Sequence, residues 1–236
     1  MNRTRKYSLD ESFFDTIDTE SKAYWLGFIS ADGYVNHSGV TFGLKATDAG
    51  HLERFLADLG SSSPVRFGTS IVNGKQRQYA RASVCSTMMS ESLMALGVTR
   101  NKSLTISPCT AIPPELERHY WRGVFDGDGC IIPMKNKQAY RMSLVGTRAM
   151  LDGFAAFADL HTHLRPAVSK IKNANAFRIS YCGVQGVQLL ARSLYDEATV
   201  YLSRKKETVD SLLSVTPLVS RIVVHARRQH AVERSA

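Results

Sequence analysis

The stretch Tyr24-Trp25-Leu26-Gly27-Phe28-Ile29-Ser30-Ala31-Asp32-Gly33 returns as Tyr120-Trp121-Arg122-Gly123-Val124-Phe125-Asp126-Gly127-Asp128-Gly129. Both copies open on Tyr-Trp, carry Gly at the fourth position and close on Asp-Gly. The closing aspartates, Asp32 and Asp128, stand 96 residues apart. A repeat of this size implies two copies of one structural unit. Tyr24, Phe28 and Ile29 follow helical spacing, as do Tyr120, Val124 and Phe125. Small residues stand four apart, Gly27 with Ala31 and Gly123 with Gly127, so each helix has a face that lets another backbone approach closely. Gly33 and Gly129 are placed to end the helices. If the helices pack through their small faces, Asp32 and Asp128 end side by side, where each helix already presents partial negative charge. Two carboxylates in that position resist joint ionisation, and a divalent cation would relieve the conflict.

The rest of the chain follows the repeat. Strand-like runs at 34–37 and 40–46 flank a turn at Ser38-Gly39, and Val40, Phe42 and Leu44 alternate with Thr41, Gly43 and Lys45. Thr47-Asp48 is expected to cap a helix with Leu52, Phe55, Leu56 and Leu59 as its buried stripe. Asn73-Gly74 predicts a hairpin between 65–70 and 79–86, and a helix over 88–96 closes the unit. The second unit repeats the order: a motif helix over 115–128, strands near 130–135 and 139–145, a helix over 149–160, a hairpin turning at Asn173-Ala174-Asn175, and a helix over 187–195. Ser8 is a candidate cap for a further helix over Leu9–Ile17, and Thr19 for the first motif helix. The predicted class is α+β: two pseudo-symmetric αββαββα units packed through their motif helices, each with an antiparallel sheet. The boundaries are a lead-in at 1–20, units at 21–105 and 115–215, a linker at 106–114 within a proline-bearing segment, and a basic tail at 216–236. In that tail Arg221, Arg227, Arg228 and Arg234 are candidates for phosphate contact, with the last ten or so residues expected to be solvated.

Both motifs resemble that of the LAGLIDADG homing endonucleases, and two copies in one chain resemble the monomeric members rather than the one-motif homodimers. The resemblance runs from about Tyr7 to the Ser203-Arg204-Lys205 region. It implies a nuclease that cuts double-stranded DNA with Mg²⁺, or another divalent cation such as Mn²⁺ or Ca²⁺, and leaves 3′ overhangs. The metal-binding acids carry over to Asp32 and Asp128. Asp126 does not carry over, since Ser30 is its counterpart. The resemblance also implies a lysine near each scissile phosphate, Lys102 and Lys205, which stand 70 and 77 residues after their aspartates. Asp126 to Gly129 does not read as a calcium loop, because Cys130 and Lys137 stand where such a loop needs ligands.

Composition agrees with a polyanionic partner. The 236 residues carry a formal charge of +9, which favours nucleic acid. No run is long and apolar enough to span a bilayer, and the first residues are not followed by an apolar signal core, so a cytoplasmic, nucleoid-associated protein is expected. The four cysteines, Cys85, Cys109, Cys130 and Cys182, have no zinc-ligand spacing and are expected to be reduced, Cys85 and Cys182 at equivalent strand positions. Strand alternation marks candidate DNA contacts: Lys45, Arg66, Tyr79, Arg81 and Ser83 in the first unit, with Lys75, Gln76, Arg77 and Gln78 on its hairpin. Arg66 is expected to face outward with Phe67 toward the core. In the second unit the candidates are Arg141, Ser143, Arg178 and Ser180, with Lys135, Lys137, Lys170 and Lys172 adding charge. Arg and Gln suit base edges, and Lys and Ser more often hold phosphates. Two alternatives keep the fold without DNA cleavage: an intron-splicing maturase and a non-cleaving DNA-binding regulator. A third, excision from an intein, is disfavoured by the absence of splicing-type Cys or Asn termini.

Overall fold

In the computed structural model, residues 6–134 and 139–215 are described. Lys135, Lys137 and the tail arginines Arg221, Arg227, Arg228 and Arg234 lie outside them.

The first unit runs α1 (Glu20–Asp32), β1 (Tyr34–Asn36), β2 (Gly39–Lys45), α2 (Ala49–Asp58), β3 (Arg66–Val72), β4 (Lys75–Cys85) and α3 (Thr87–Ala95). The second runs α4 (Glu117–Asp128), β5 (Gly129–Pro133), β6 (Tyr140–Gly146), α5 (Arg148–Thr162), β7 (Ser169–Lys170), β8 (Phe177–Gly183) and α6 (Gln185–Tyr195), followed by α7 (Ser203–Leu213). Both sheets are antiparallel with the same strand order, β1-β2-β4-β3 and β5-β6-β8-β7. The predicted αββαββα order therefore holds in both units, with α7 as an addition to the second.

Alternation decides which sheet face is covered. Val40, Phe42 and Leu44 of β2 and Ala80, Ala82 and Val84 of β4 are buried, and in the second sheet so are Met142, Leu144, Ile179 and Tyr181. Helices α2 and α3 lie on the first buried face and α5 and α6 on the second. Trp25 and Phe42 both pack on Phe55, while Trp121, Phe125 and Tyr181 all pack on Phe154. The intervening residues leave each sheet with one uncovered face.

The two units join along α1 and α4, as the small residues predict. A Cβ on Gly27 would lie 2.0 Å from the Tyr120 carbonyl oxygen, and one on Gly123 would lie 2.1 Å from that of Tyr24. A Cβ on Gly127 would meet the Ala31 side chain at 2.3 Å. The backbones touch at Gly27 and Gly123, Gly127 faces the Ala31 methyl, and a larger residue at any of the three would have to push the helices apart. The linker is docked rather than loose: Thr147 donates to the Ile106 carbonyl, and Cys109 N donates to the Tyr120 hydroxyl.

Several local expectations are corrected. Leu9–Ile17 is not a helix. Asp10 Oδ1 accepts from both the backbone and the hydroxyl of Ser12, which offers the chain a local turn in place of helical bonds. Ser8 donates to the Gly60 carbonyl instead of capping. Thr19 does cap α1, accepting from Lys22 N. Asp48 makes no cap; its carboxylate receives Arg204 Nε at 2.9 Å. Gly33 ends α1 in extended rather than left-handed conformation. Glycine is required there because a Cβ would lie 2.8 Å from Ile29 Cα. Phe67 pairs with Ala80 on the helix side of the sheet but is 65% exposed, since β3 is the edge strand and no helix reaches it.

Candidate nucleic-acid interface and paired carboxylate site

Asp32 and Asp128 are the last residues of α1 and α4. Because those helices pack backbone to backbone, the two carboxylates come together at one end of the interface. Both are exposed to solvent. The surrounding chain still desolvates them and pushes both above the usual carboxylate range, Asp128 to about 6. For Asp128 the second cause is the negative charge of Asp32, which is the like-charge conflict expected from the sequence.

The two lysines lie in the same region, and both are buried. Lys102 Nζ donates to the Ala31 carbonyl at 2.8 Å. Lys205 Nζ donates to the carbonyls of Phe125, Asp126 and Gly129. Each ammonium thus sits on the carbonyl end of a motif helix, where a cation is favoured. Burial lowers both pKa values, that of Lys205 to about 8, while Asp32 and Asp128 oppose the fall. In return the lysine charges pull Asp32 and Asp128 down. Lys205 spends its three N–H groups on carbonyls, so it has none left for a phosphate. Lys102 spends one among the described residues.

Asp126 has a different role. It is fully buried and accepts from the Tyr24 and Tyr195 hydroxyls and from Leu202 N. It ties α1, α4, α6 and the start of α7 together. Nearby, the buried Arg122 donates to the Leu194 and Val200 carbonyls and to Glu20. Neither group was picked out as structural from the sequence. Apart from the contact of Arg122 with His119 within α4, their partners lie 69 or more residues away, and no local pattern records such a contact.

The open sheet faces begin at the carboxylates. Tyr34, two residues past Asp32, pairs with Thr41, which pairs with Ser83. Cys130, two residues past Asp128, pairs with Ser143, which pairs with Ser180. On the first open face stand Lys45, Arg66, Lys75, Arg77, Tyr79, Arg81 and Ser83, and on the second Arg141, Ser143, Arg178 and Ser180. Cys85 and Cys182 fall two residues past Ser83 and Ser180, the equivalent positions expected. Gln76 and Gln78 alternate to the other face of the exposed hairpin. Lys170 pairs with Phe177 and shares its helix-side position, and Lys172 is in the turn. Alternation also identifies Asn36 and Thr41 as open-face residues beyond the predicted set.

No family model matches the sequence, and no curated protein matches it significantly. Solved structures do match in shape. The homing endonuclease I-WcaI, bound to its DNA recognition sequence, is similar with a TM-score of 0.57 and 14% identity, over 82% of this chain and 87% of that one. The meganuclease I-SmaMI, bound to uncleaveable DNA, is similar with a TM-score of 0.53 and 9% identity, over 82% and 90%. The N-terminal LAGLIDADG domain of DUF199/WhiA is similar with a TM-score of 0.51 and 14% identity, over 89% and 100%. Two motif helices packed at their glycines, two like sheets and these neighbours agree: the chain has the fold of the LAGLIDADG homing endonucleases, in the form that carries both units on one chain.

Proposed function

We propose that this protein is a monomeric, site-specific endonuclease that binds double-stranded DNA and hydrolyses one phosphodiester bond on each strand, leaving 3′ overhangs. The observation that carries the reading is the pair Asp32 and Asp128, exposed together at the joined helix ends, each two residues from the start of an open sheet face. The basic side chains on those faces suit phosphates and base edges. The two sheets would form a saddle along the major groove, with the carboxylates over the intervening minor groove. I-WcaI and I-SmaMI, which share the fold, are DNA-bound nucleases.

The carboxylates suit a divalent cation. They are hard oxygen donors whose mutual repulsion a doubly charged ion relieves. Among the described residues no cluster of three or more His, Cys, Asp or Glu side chains is placed to hold a metal. Two protein carboxylates with water and phosphate completing the shell is a usual arrangement for Mg²⁺. Such an ion would supply charge stabilisation at the phosphate undergoing attack. Asp32 and Asp128 would hold it, one serving each strand. Lys205 would keep these acids ionised from its place on the α4 carbonyls. Lys102 would do the same from α1, with donors left to meet a phosphate oxygen.

The fold alone does not select cleavage, since the WhiA domain shares it; the paired acids and both lysines favour the nuclease. The test is to incubate the protein with a randomised duplex library, with and without Mg²⁺, and to sequence the ends produced. The proposal expects one recurrent sequence cut on both strands only when Mg²⁺ is present. Enrichment of bound but uncut duplexes would replace it with the DNA-binding regulator. Neither cutting nor enrichment, with excision of a host intron RNA instead, would replace it with the maturase.

A further inference from the structure

We propose that Arg204 is the second unit's phosphate-contacting cation at the paired carboxylates, in the place that the resemblance gives to Lys205. The proposal rests on the nuclease reading above and names the residue on each side of the site that meets a phosphate oxygen.

The two lysines are not equivalent. An ammonium has three donors. Lys102 Nζ spends one on the Ala31 carbonyl among the described residues, which leaves two for a ligand. Lys205 Nζ spends all three, on the Phe125, Asp126 and Gly129 carbonyls. Its side of the site therefore lacks a free donor unless a neighbour supplies one. The residue before Lys102 is Asn101, which is uncharged, and the residue before Lys205 is Arg204.

The Arg204 side chain is held at one edge and open at the other. It stands in the first turn of α7, and its Nε donates to Asp48 Oδ2 at 2.9 Å, across the junction between the units. Asp48 is buried and Arg204 is half-exposed. Among the described residues the two Nη groups have no hydrogen-bond partner. A guanidinium is planar and carries five N–H donors, so an edge fixed by one carboxylate leaves others set for a phosphate. Of the two acids, Arg204 acts on Asp32, while Lys102 is the foremost cation acting on Asp128. The two sets of free donors thus attend different acids. Holding Asp48 needs only the Nε–H and does not account for the open Nη groups.

Strand-resolved cleavage tests this, using the full chain and a duplex recovered from the library selection with each strand separately labelled. Arg204→Gln is expected to slow cutting of one strand at least about tenfold, the scale of one charge-assisted hydrogen bond, so that nicked duplex accumulates. Lys102→Gln is expected to slow the other strand. Lys206→Gln, which removes a neighbouring cation paired with Asp210, should cut both strands at the parent rate. Binding measured without divalent cation supplies a second readout. Replacing the phosphate at the affected cut bond by a neutral methylphosphonate should weaken the parent more than it weakens Arg204→Gln. If Arg204→Gln does not fold, Arg204→Lys takes its place with the same strand bias expected, since it keeps a cation for Asp48 but no second planar edge. Equal slowing of both strands, no slowing of either, or a methylphosphonate effect as large in the variant as in the parent would overturn the proposal and leave Arg204 as a lock between the units. A parent that cuts no duplex would instead overturn the nuclease reading on which the proposal stands.

Discussion

Asp128 is where the fold accepts an unfavourable charge. In the folded chain it titrates near 6, above the value of about 3.9 for an unperturbed aspartate. Below about pH 4 the folded and unfolded states both hold the proton. Between about 4 and 6 the folded state keeps a proton that the unfolded chain has lost, so stability falls as pH rises through this window. Asp128→Asn should therefore melt at a higher temperature than the parent at pH 7.5, with the advantage vanishing near pH 4; thermal scans at both pH values check this. On the proposed reading the same ionisation would govern cation binding, so cleavage should weaken as pH drops through about 6. Lys205 is the opposite case, a charge the fold needs. Lys205→Met would take the charged donor from the Phe125, Asp126 and Gly129 carbonyls, of which the Phe125 oxygen keeps Gly129 N as a partner. A loss of about 1–3 kcal/mol is expected in denaturant unfolding, from the cost of buried unpaired acceptors. Asp126→Asn belongs with it. The resemblance gives Asp126 no metal role, and its burial makes it a structural change: an amide nitrogen would face one of the three donors the carboxylate now accepts. Lower stability, with DNA cleavage retained in the folded fraction, is the expected result.

At the scale of elements, α1 and α4 decide the geometry. Gly27→Val or Gly123→Val would place side-chain atoms on a neighbouring backbone carbonyl. Overpacking of this kind typically costs about 1–3 kcal/mol. Spreading the helices would also separate Asp32 from Asp128, and a shift of about 1 Å at a reacting centre can cost about a hundredfold in rate. Melting and cleavage should fall together. Gly50→Ala is the control: Gly50 lies within α2 with open space around it. Its replacement should stabilise by up to about 1 kcal/mol through helix propensity and leave cleavage unchanged. These elements were legible in the sequence because the signals were local and occurred twice. The motif helices, the Asn73-Gly74 hairpin and the strand alternation each rest on short spacing rules that tertiary structure did not override. The segment Leu9–Ile17 departs from its sequence pattern, because its apolar residues suit a helix while Asp10 and Ser12 close a turn first. Phe67 lies on the face that alternation assigns yet stays exposed, because only the strand order shows that β3 is the edge. The family resemblance singled out Lys205, but no spacing rule pairs it with the end of α4, since the contact spans 76 to 80 residues.

For the whole molecule, one chain brings two similar halves together along α1 and α4. The halves are held by the α1–α4 contact, by Asp126 and by the Arg204–Asp48 pair, so neither unit's aspartate is placed without the other unit. On the proposed reading, binding through the basic open faces should weaken with salt, because each neutralised phosphate releases counterions. The central claim is that Asp32 and Asp128 together perform double-strand cleavage, and it is tested most directly on a duplex recovered from the library selection. On that duplex, Mg²⁺-dependent cutting and binding are measured side by side for the parent, Asp32→Asn and Asp128→Asn. The account predicts that each single substitution abolishes double-strand cleavage while the folded protein still binds the duplex about as tightly as the parent. Full double-strand cleavage by both variants would contradict it.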